Sequence, residues 1–191
     1  MYGLVNRAIE DLIVSTEGAE TWEKIKKKAG TADLQLLDSS NYDDQLTYDL
    51  VAACCEVLNK SAEEVLYAFG RHWILYTGKE GWANLFAFTG DNFISFVQQL
   101  DEMHARVNAA MPEGNMPEFT LSETDDGYQL IYRSAREGLA PMVIGILNGL
   151  AEQFNESWEI KHIGTREKSG VDSFALSKTA KLNELNHRDA A

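Results

Sequence analysis

Apolar residues in the first half of the chain recur every three or four positions, the period of a helix with one buried face. Leu4, Val5, Ala8, Ile9, Leu12 and Ile13 predict a helix over 3–14, broken by Thr16-Glu17-Gly18. Trp22, Ile25 and Ala29 predict a second helix that stops at Gly30. Residues 31–45 are polar and turn-rich, and 46–58 are helical again. Ser61-Ala62-Glu63-Glu64 is a capping box, with a cap hydroxyl and a carboxylate three positions on. The helix it opens carries Val65, Phe69, Trp73 and Tyr76 along one face. Trp82, Leu85, Phe86 and Phe88 predict a short apolar helix ended by Gly90. Asp91 then opens a stripe of Phe93, Val97, Leu100, His104 and Val107 at spacings that keep all five on one helical face.

Beyond a loop at 108–118 the period changes to two. Phe119 to Ser122 reads as a strand, Asp125-Asp126-Gly127 as a hairpin turn, and Tyr128 to Ser134 as the return strand. An apolar helix over 138–154 follows, with Pro141 in its first turn. Trp158, Ile160 and His162 alternate in a strand, and Phe174 to Leu176 closes the sheet. The expected class is α+β: a helical N-terminal half packed on a C-terminal part with an antiparallel sheet and one long helix. The expected organisation is a single domain over 1–177 and a polar tail over 178–191.

Composition narrows the function. The 191 residues are 45% hydrophobic and carry a formal charge of −13. That suits a globular chain and argues against nucleic acid or an anionic membrane as partner. The only cysteines, Cys54 and Cys55, are neighbours on a helical segment and offer no disulfide framework. With no signal peptide expected at the N-terminus and no apolar run of membrane-spanning length, a reducing cytoplasm is the expected location.

Two features carry chemistry. If the strand from Tyr128 stays extended to Arg136, then Tyr132, Ser134 and Arg136 project from one face. A phenol, a hydroxyl and a guanidinium form a donor comb with a fixed positive charge. Such a comb suits two adjacent carboxylates, for example the propionates of a heme. The alternative is a strand end with surface polar groups. The second feature is His104 on its apolar stripe. It is either a core histidine or an imidazole kept dry and neutral for a metal. No Cys or His at helical spacing would share the metal, so it would serve as the sole protein ligand of a macrocycle.

With these residues in place, the chain resembles the heme nitric oxide/oxygen binding (H-NOX) family, related to the heme domain of soluble guanylate cyclase. The markers run in order from Met1-Tyr2-Gly3 through Phe69-Gly70, His104, Pro117 and Tyr132-x-Ser134-x-Arg136 to Gly138. The resemblance implies heme b buried between the two parts. His104 would be the proximal ligand, and Tyr132, Ser134 and Arg136 the propionate anchors. Pro117 would press on the porphyrin, with Leu4 and Val5 on the N-terminal helix involved in that pressure. Phe69, Trp73 and Met142 would lie on the distal side. No Tyr, Ser or Thr occurs between Glu137 and Phe154, so the resemblance points to nitric oxide and carbon monoxide without a stable oxygen complex. The remaining candidate donors are His72 and the Trp73 indole. It also implies a non-enzymatic sensor of the bacterial type acting on a separate histidine kinase or cyclic-di-GMP enzyme. The rival readings are a peroxidase-type heme enzyme, for which only His72 could be the distal acid/base, and a heme-free adaptor domain.

Overall fold

Helix α1 (Gly3–Glu17) and helix α2 (Ala19–Lys28) meet at Gly18, whose φ of +88° suits a residue without a side chain. The computed structural model describes residues 1–77 and 89–179. The apolar helix expected over 82–88, and all of the polar tail beyond residue 179, lie outside the described residues. Helix α3 (Asp44–Leu58) begins two residues before the expected start, because the Asp43 carboxylate accepts from the Gln45 N–H. Helix α4 (Ala62–Thr77) opens on the capping box as expected. The Glu64 N–H donates to the Ser61 hydroxyl at 3.2 Å, and the Ser61 N–H donates to the Glu64 carboxylate at 2.8 Å. These four helices share a core built on Ile9, Ile25, Leu50 and Phe69. Each such side chain contributes roughly 1.5–3 kcal/mol by leaving water.

The stripe from Phe93 to Val107 forms two helices rather than one: α5 (Phe93–Gln98) and α6 (Leu100–Ala110), broken at Gln99. Asn92, not Asp91, caps α5, through a reciprocal pair with Ser95. Phe93, Phe96 and Val97 sink fully into the second core, whereas Leu100 is the one buried residue of α6. A short 3-10 turn at Pro112–Gly114 leads towards the sheet, so the expected loop is partly helical.

The sheet contains β1 (Glu118–Thr124), β2 (Gly127–Arg133), β3 (Trp158–Gly164) and β4 (Asp172–Lys178), all antiparallel in the order β1-β2-β4-β3. The last strand is therefore internal, not an edge. Helix α7 (Ala140–Gln153) connects β2 to β3, and a short helix α8 (Arg166–Ser169) connects β3 to β4. On one face Leu130, Phe174 and Leu176 meet Val143, Leu147 and Leu150 of α7. Helices α4 and α7 cross where a Cβ on Gly70 would lie 2.1 Å from the Met142 carbonyl oxygen and one on Gly145 would lie 2.2 Å from that of Tyr67. Only hydrogen fits at either position, and this contact locks the helical layer to the sheet layer. Among the described residues no helix is long and apolar enough to cross a membrane.

Candidate functional site

A cavity of about 520 Å³ lies between the two layers. Ligand sites commonly occupy about 300–1,000 Å³. Leu4 and Val5 of α1 line it, as do Phe69 and Trp73 of α4 and Met142 of α7. His104 of α6 and Pro117, just before β1, also reach it. Tyr132, Ser134 and Arg136 complete the wall. All ten residues singled out in the sequence thus meet at one cavity, although they come from six parts of the chain.

A hydrogen bond orients the imidazole of His104. Its Nδ1 lies 3.1 Å from the carbonyl oxygen of Pro117, which can only accept, so Nδ1 carries the proton. The lone pair of Nε2 is then free. Burial pushes the His104 pKa below its ordinary value, and the Pro117 contact only partly opposes this. A neutral imidazole with its second nitrogen tied to a backbone carbonyl is the form that ligates a metal. Phe119 packs on the ring at 5.4 Å, and Asp101 takes the Phe119 N–H at 2.6 Å. This fastens the start of β1 to α6.

The polar side differs from the expected row. Strand β2 ends at Arg133, because the Ser134 hydroxyl accepts from the Arg136 N–H at 3.1 Å and turns the chain. The three side chains still line the cavity, from a strand end and a bend rather than one strand face. Tyr132 is buried, and burial raises its pKa against the opposing influence of Ser134 and the Arg136 charge. The Arg136 guanidinium is held by four contacts: two to the Asp44 carboxylate at 2.8 and 3.2 Å, one to the Gly114 carbonyl at 3.1 Å and one to that of Asn115 at 2.9 Å. A guanidinium has five N–H donors, so one remains for a ligand carboxylate. Burial alone would raise the Asp44 pKa, but Arg136 and the amino group of Met1 hold it below the usual range. Gly3 brings α1 against the same region, since a Cβ there would meet the Leu37 carbonyl at 2.1 Å.

Of the two candidate distal donors, only Trp73 lines the cavity. His72 does not, and its Nε2 is paired with Asp11 at 2.7 Å. The Thr77 hydroxyl, also in the wall, donates back to the Trp73 carbonyl at 2.7 Å. Cys55 reaches the wall as well, whereas Cys54 is fully buried with its thiol pKa pushed up to about 12. Asp44, Asp101 and Tyr48 were not singled out in the sequence. They are single polar residues on helices and have no local pattern to mark them.

The donor set fits a planar, largely apolar iron carrier with acidic edges. It offers one neutral imidazole, apolar walls, and a phenol, hydroxyl and cation gathered on one side. Among the described residues no group of three or more His, Cys, Asp or Glu could hold a metal ion.

Comparisons with known proteins agree. Residues 2–162 match the Haem-NO-binding family. Soluble guanylate cyclase 89Db of Drosophila melanogaster is 27% identical over 155 residues, 81% of this chain and 23% of that protein. Soluble guanylate cyclase gcy-32 of Caenorhabditis elegans is 27% identical over 157 residues, 80% of this chain and 23% of that protein. The chain thus spans about a quarter of the length of these curated relatives. Among solved structures, an H-NOX protein from S. oneidensis in the Fe(II)NO state superposes with a TM-score of 0.84 at 21% identity, covering 94% of this chain and 100% of that one. The unliganded Fe(II) H-NOX protein from K. algicida gives 0.80 at 21% identity, covering 95% and 98%. The chain belongs to the Haem-NO-binding family, the heme-binding gas-sensor domains called H-NOX that are related to the heme domain of soluble guanylate cyclase.

Proposed function

We propose that this chain, as one domain over residues 1–177, senses nitric oxide and carbon monoxide at heme b without forming a stable oxygen complex. Bound heme would supply a ferrous iron able to bind a diatomic gas. His104 would hold the iron through Nε2. Tyr132, Ser134 and Arg136 would take the propionates, Pro117 would press on the ring, and Leu4, Val5, Phe69, Trp73 and Met142 would wall the rest.

The observation that carries this reading is the Nδ1 contact of His104 to Pro117 inside a cavity that also holds Arg136. It leaves a neutral lone pair and a cation facing one space, which a heme-free adaptor has no use for. The selectivity rests on the distal wall. Bound oxygen is polar and needs a donor, whereas nitric oxide binds ferrous heme strongly without one. His72 is committed to Asp11 outside the cavity and Thr77 to its own helix, so of the candidate donors only the Trp73 indole lines the cavity, and the selectivity requires that it does not donate to the bound gas. A peroxidase-type site, which needs a distal acid/base, is disfavoured for the same reason.

The output would come from α6. Leu100 is its one buried residue, so loosening His104 frees a lightly held helix to shift. A ligand signals only by favouring one of two arrangements. A separate histidine kinase or cyclic-di-GMP enzyme in the cytoplasm is the proposed receiver. Optical spectra of the reduced protein in air, then with carbon monoxide, then with nitric oxide, test the reading. Carbonyl and nitrosyl spectra with the added gases and no oxygen-complex spectrum in air are expected. A lasting oxygen complex in air defeats the selectivity, and a colourless protein that refuses hemin defeats the whole assignment.

A further inference from the structure

Residues 134–138 carry the polar side of the cavity but belong to neither β2 nor α7. Among the described residues, no backbone–backbone hydrogen bond ties this segment to the rest of the chain. Side chains hold it instead. The Tyr48 hydroxyl donates to the Glu137 carbonyl at 3.3 Å. Arg166, at the start of α8, holds the backbone itself. Its Nη1 donates to the carbonyl of Ser134 at 2.5 Å and to that of Arg136 at 3.3 Å, and its Nη2 lies 3.8 Å from the Glu137 carboxylate. Arg166 itself does not line the cavity.

The platform under Arg166 is equally specific. Its own N–H donates to the Asp172 carboxylate at 3.3 Å, and the same oxygen lies 2.8 Å from Nε2 of His162. His162 stacks on Phe174, a fully buried core residue. Asp172 is also the register partner of Tyr132 across β2 and β4. One strand end thus positions Tyr132 directly and Ser134 and Arg136 through a guanidinium.

We propose that Arg166 is a positioning residue for carboxylate recognition: by binding the Ser134 and Arg136 carbonyls it sets the backbone from which those side chains reach the propionates. The proposal rests on the heme reading above. Asp44 and the Gly114 and Asn115 carbonyls fix the far end of the Arg136 side chain, and Arg166 fixes its root. With both ends held, the one spare N–H of Arg136 is aimed before any ligand arrives. Less disorder is then lost on binding, which is the gain from pre-organisation.

The test measures transfer of porphyrin from the holo-protein to excess apomyoglobin, for the unaltered chain, Arg166→Gln and Arg166→Lys. Each is loaded once with heme and once with heme dimethyl ester, which lacks the carboxylates. Heme should leave Arg166→Gln about tenfold faster, the scale of one lost charge-assisted hydrogen bond. Arg166→Lys, which keeps a charge but can reach fewer carbonyls, should fall between. With the dimethyl ester the three proteins should lose porphyrin at similar rates. An equal acceleration for both porphyrins means general loosening and overturns the proposal, as does no acceleration for either. If the Gln variant does not fold, the Lys variant alone decides by the same comparison. Failure of the unaltered chain to take up either porphyrin overturns the heme reading itself, and this inference with it.

Discussion

Replacing Glu156 by Gln probes the root of the helix pair that leads to His104, and the outcome can be worked from the contacts. Glu156 follows α7, and one carboxylate oxygen accepts the Phe93 N–H at 3.1 Å, at the first residue of α5. The other accepts the Trp158 indole N–H at 3.1 Å and lies 2.9 Å from Lys178 Nζ. The Glu156 side chain is 17% exposed, whereas Lys178 is 65% exposed, so the ion pair adds little. An amide can offer its oxygen to only one of the two N–H groups. Its NH2 then faces the other, which leaves a part-buried donor unsatisfied. A lost hydrogen bond to a charged acceptor plus that unsatisfied donor costs about 2–4 kcal/mol. In a chain of this size that lowers the melting temperature by roughly 5–15 °C.

The same substitution has a pH signature. Burial pushes the Glu156 pKa up, but Lys178, the Phe93 N–H and the Trp158 indole overcome it, and the folded value is depressed. A depressed carboxylate stabilises the fold above its unfolded pKa of about 4.3. That contribution is lost as pH falls through the folded value. Other acid-sensitive groups, such as His104, are common to both proteins and cancel in the difference. Thermal melts of both proteins from pH 7 to pH 3 should therefore start far apart, with the gap narrowing once pH falls below the unfolded carboxylate value of about 4.3. A gap that stays constant across this range, or one below about 2 °C at pH 7, would refute the assignment of Glu156 as the anchor of α5.

Three further outcomes follow from the geometry. Gly145→Ala places a methyl 2.2 Å from the Tyr67 carbonyl oxygen, with Arg71 N at 3.1 Å, so backbone must move rather than a flexible side chain; a loss of about 1–3 kcal/mol in urea unfolding is expected. Cys54, with its pKa near 12 and no exposed surface, should resist a thiol reagent at pH 8 until the protein unfolds, while Cys55 reacts first; equal rates in the native state contradict the burial. His104→Gly should purify without pigment and regain it when hemin and imidazole are supplied together, and pigment retained without imidazole would remove His104 from its proposed role.

Local features were legible in the sequence and distant ones were not. The Ser61–Glu64 box and the buried faces of α1 and α4 depend on residues within one or two turns, so spacing alone located them. The break at Gln99 was hidden because the apolar spacing runs through it unchanged. Ser134 misled in a specific way. Period-two reading kept the strand extended, yet a serine two positions before an arginine can turn the chain through its hydroxyl, as it does here. The partners of Arg136 were beyond reach, since Asp44 lies 92 residues away and Gly114 22 away. Arg166 had no local mark either, because its partners are backbone carbonyls about thirty residues upstream.

The two edges of the cavity are held with unequal strength, and this asymmetry gives the site a direction. On the polar edge, Arg136 is fixed by four hydrogen bonds, and its backbone is bound by Arg166 from the sheet. On the other edge, α5 is rooted by Phe93, Phe96 and Val97, each no more than 2% exposed. Beyond Gln99 the hold weakens: α6 keeps Leu100 in the core, the Asp101 contact to Phe119 and the His104 contact to Pro117. A rigid group spanning from Arg136 to His104 would therefore tie a firmly held part of the wall to a lightly held helix. On the proposed reading, a change in how that group holds the imidazole would displace α6 rather than the carboxylate grip, because displacement follows the weaker restraint. Gln99, with φ −99° and ψ 5°, lies outside both helices and is the joint at which such a displacement can be absorbed without unseating Phe93 or its Glu156 anchor.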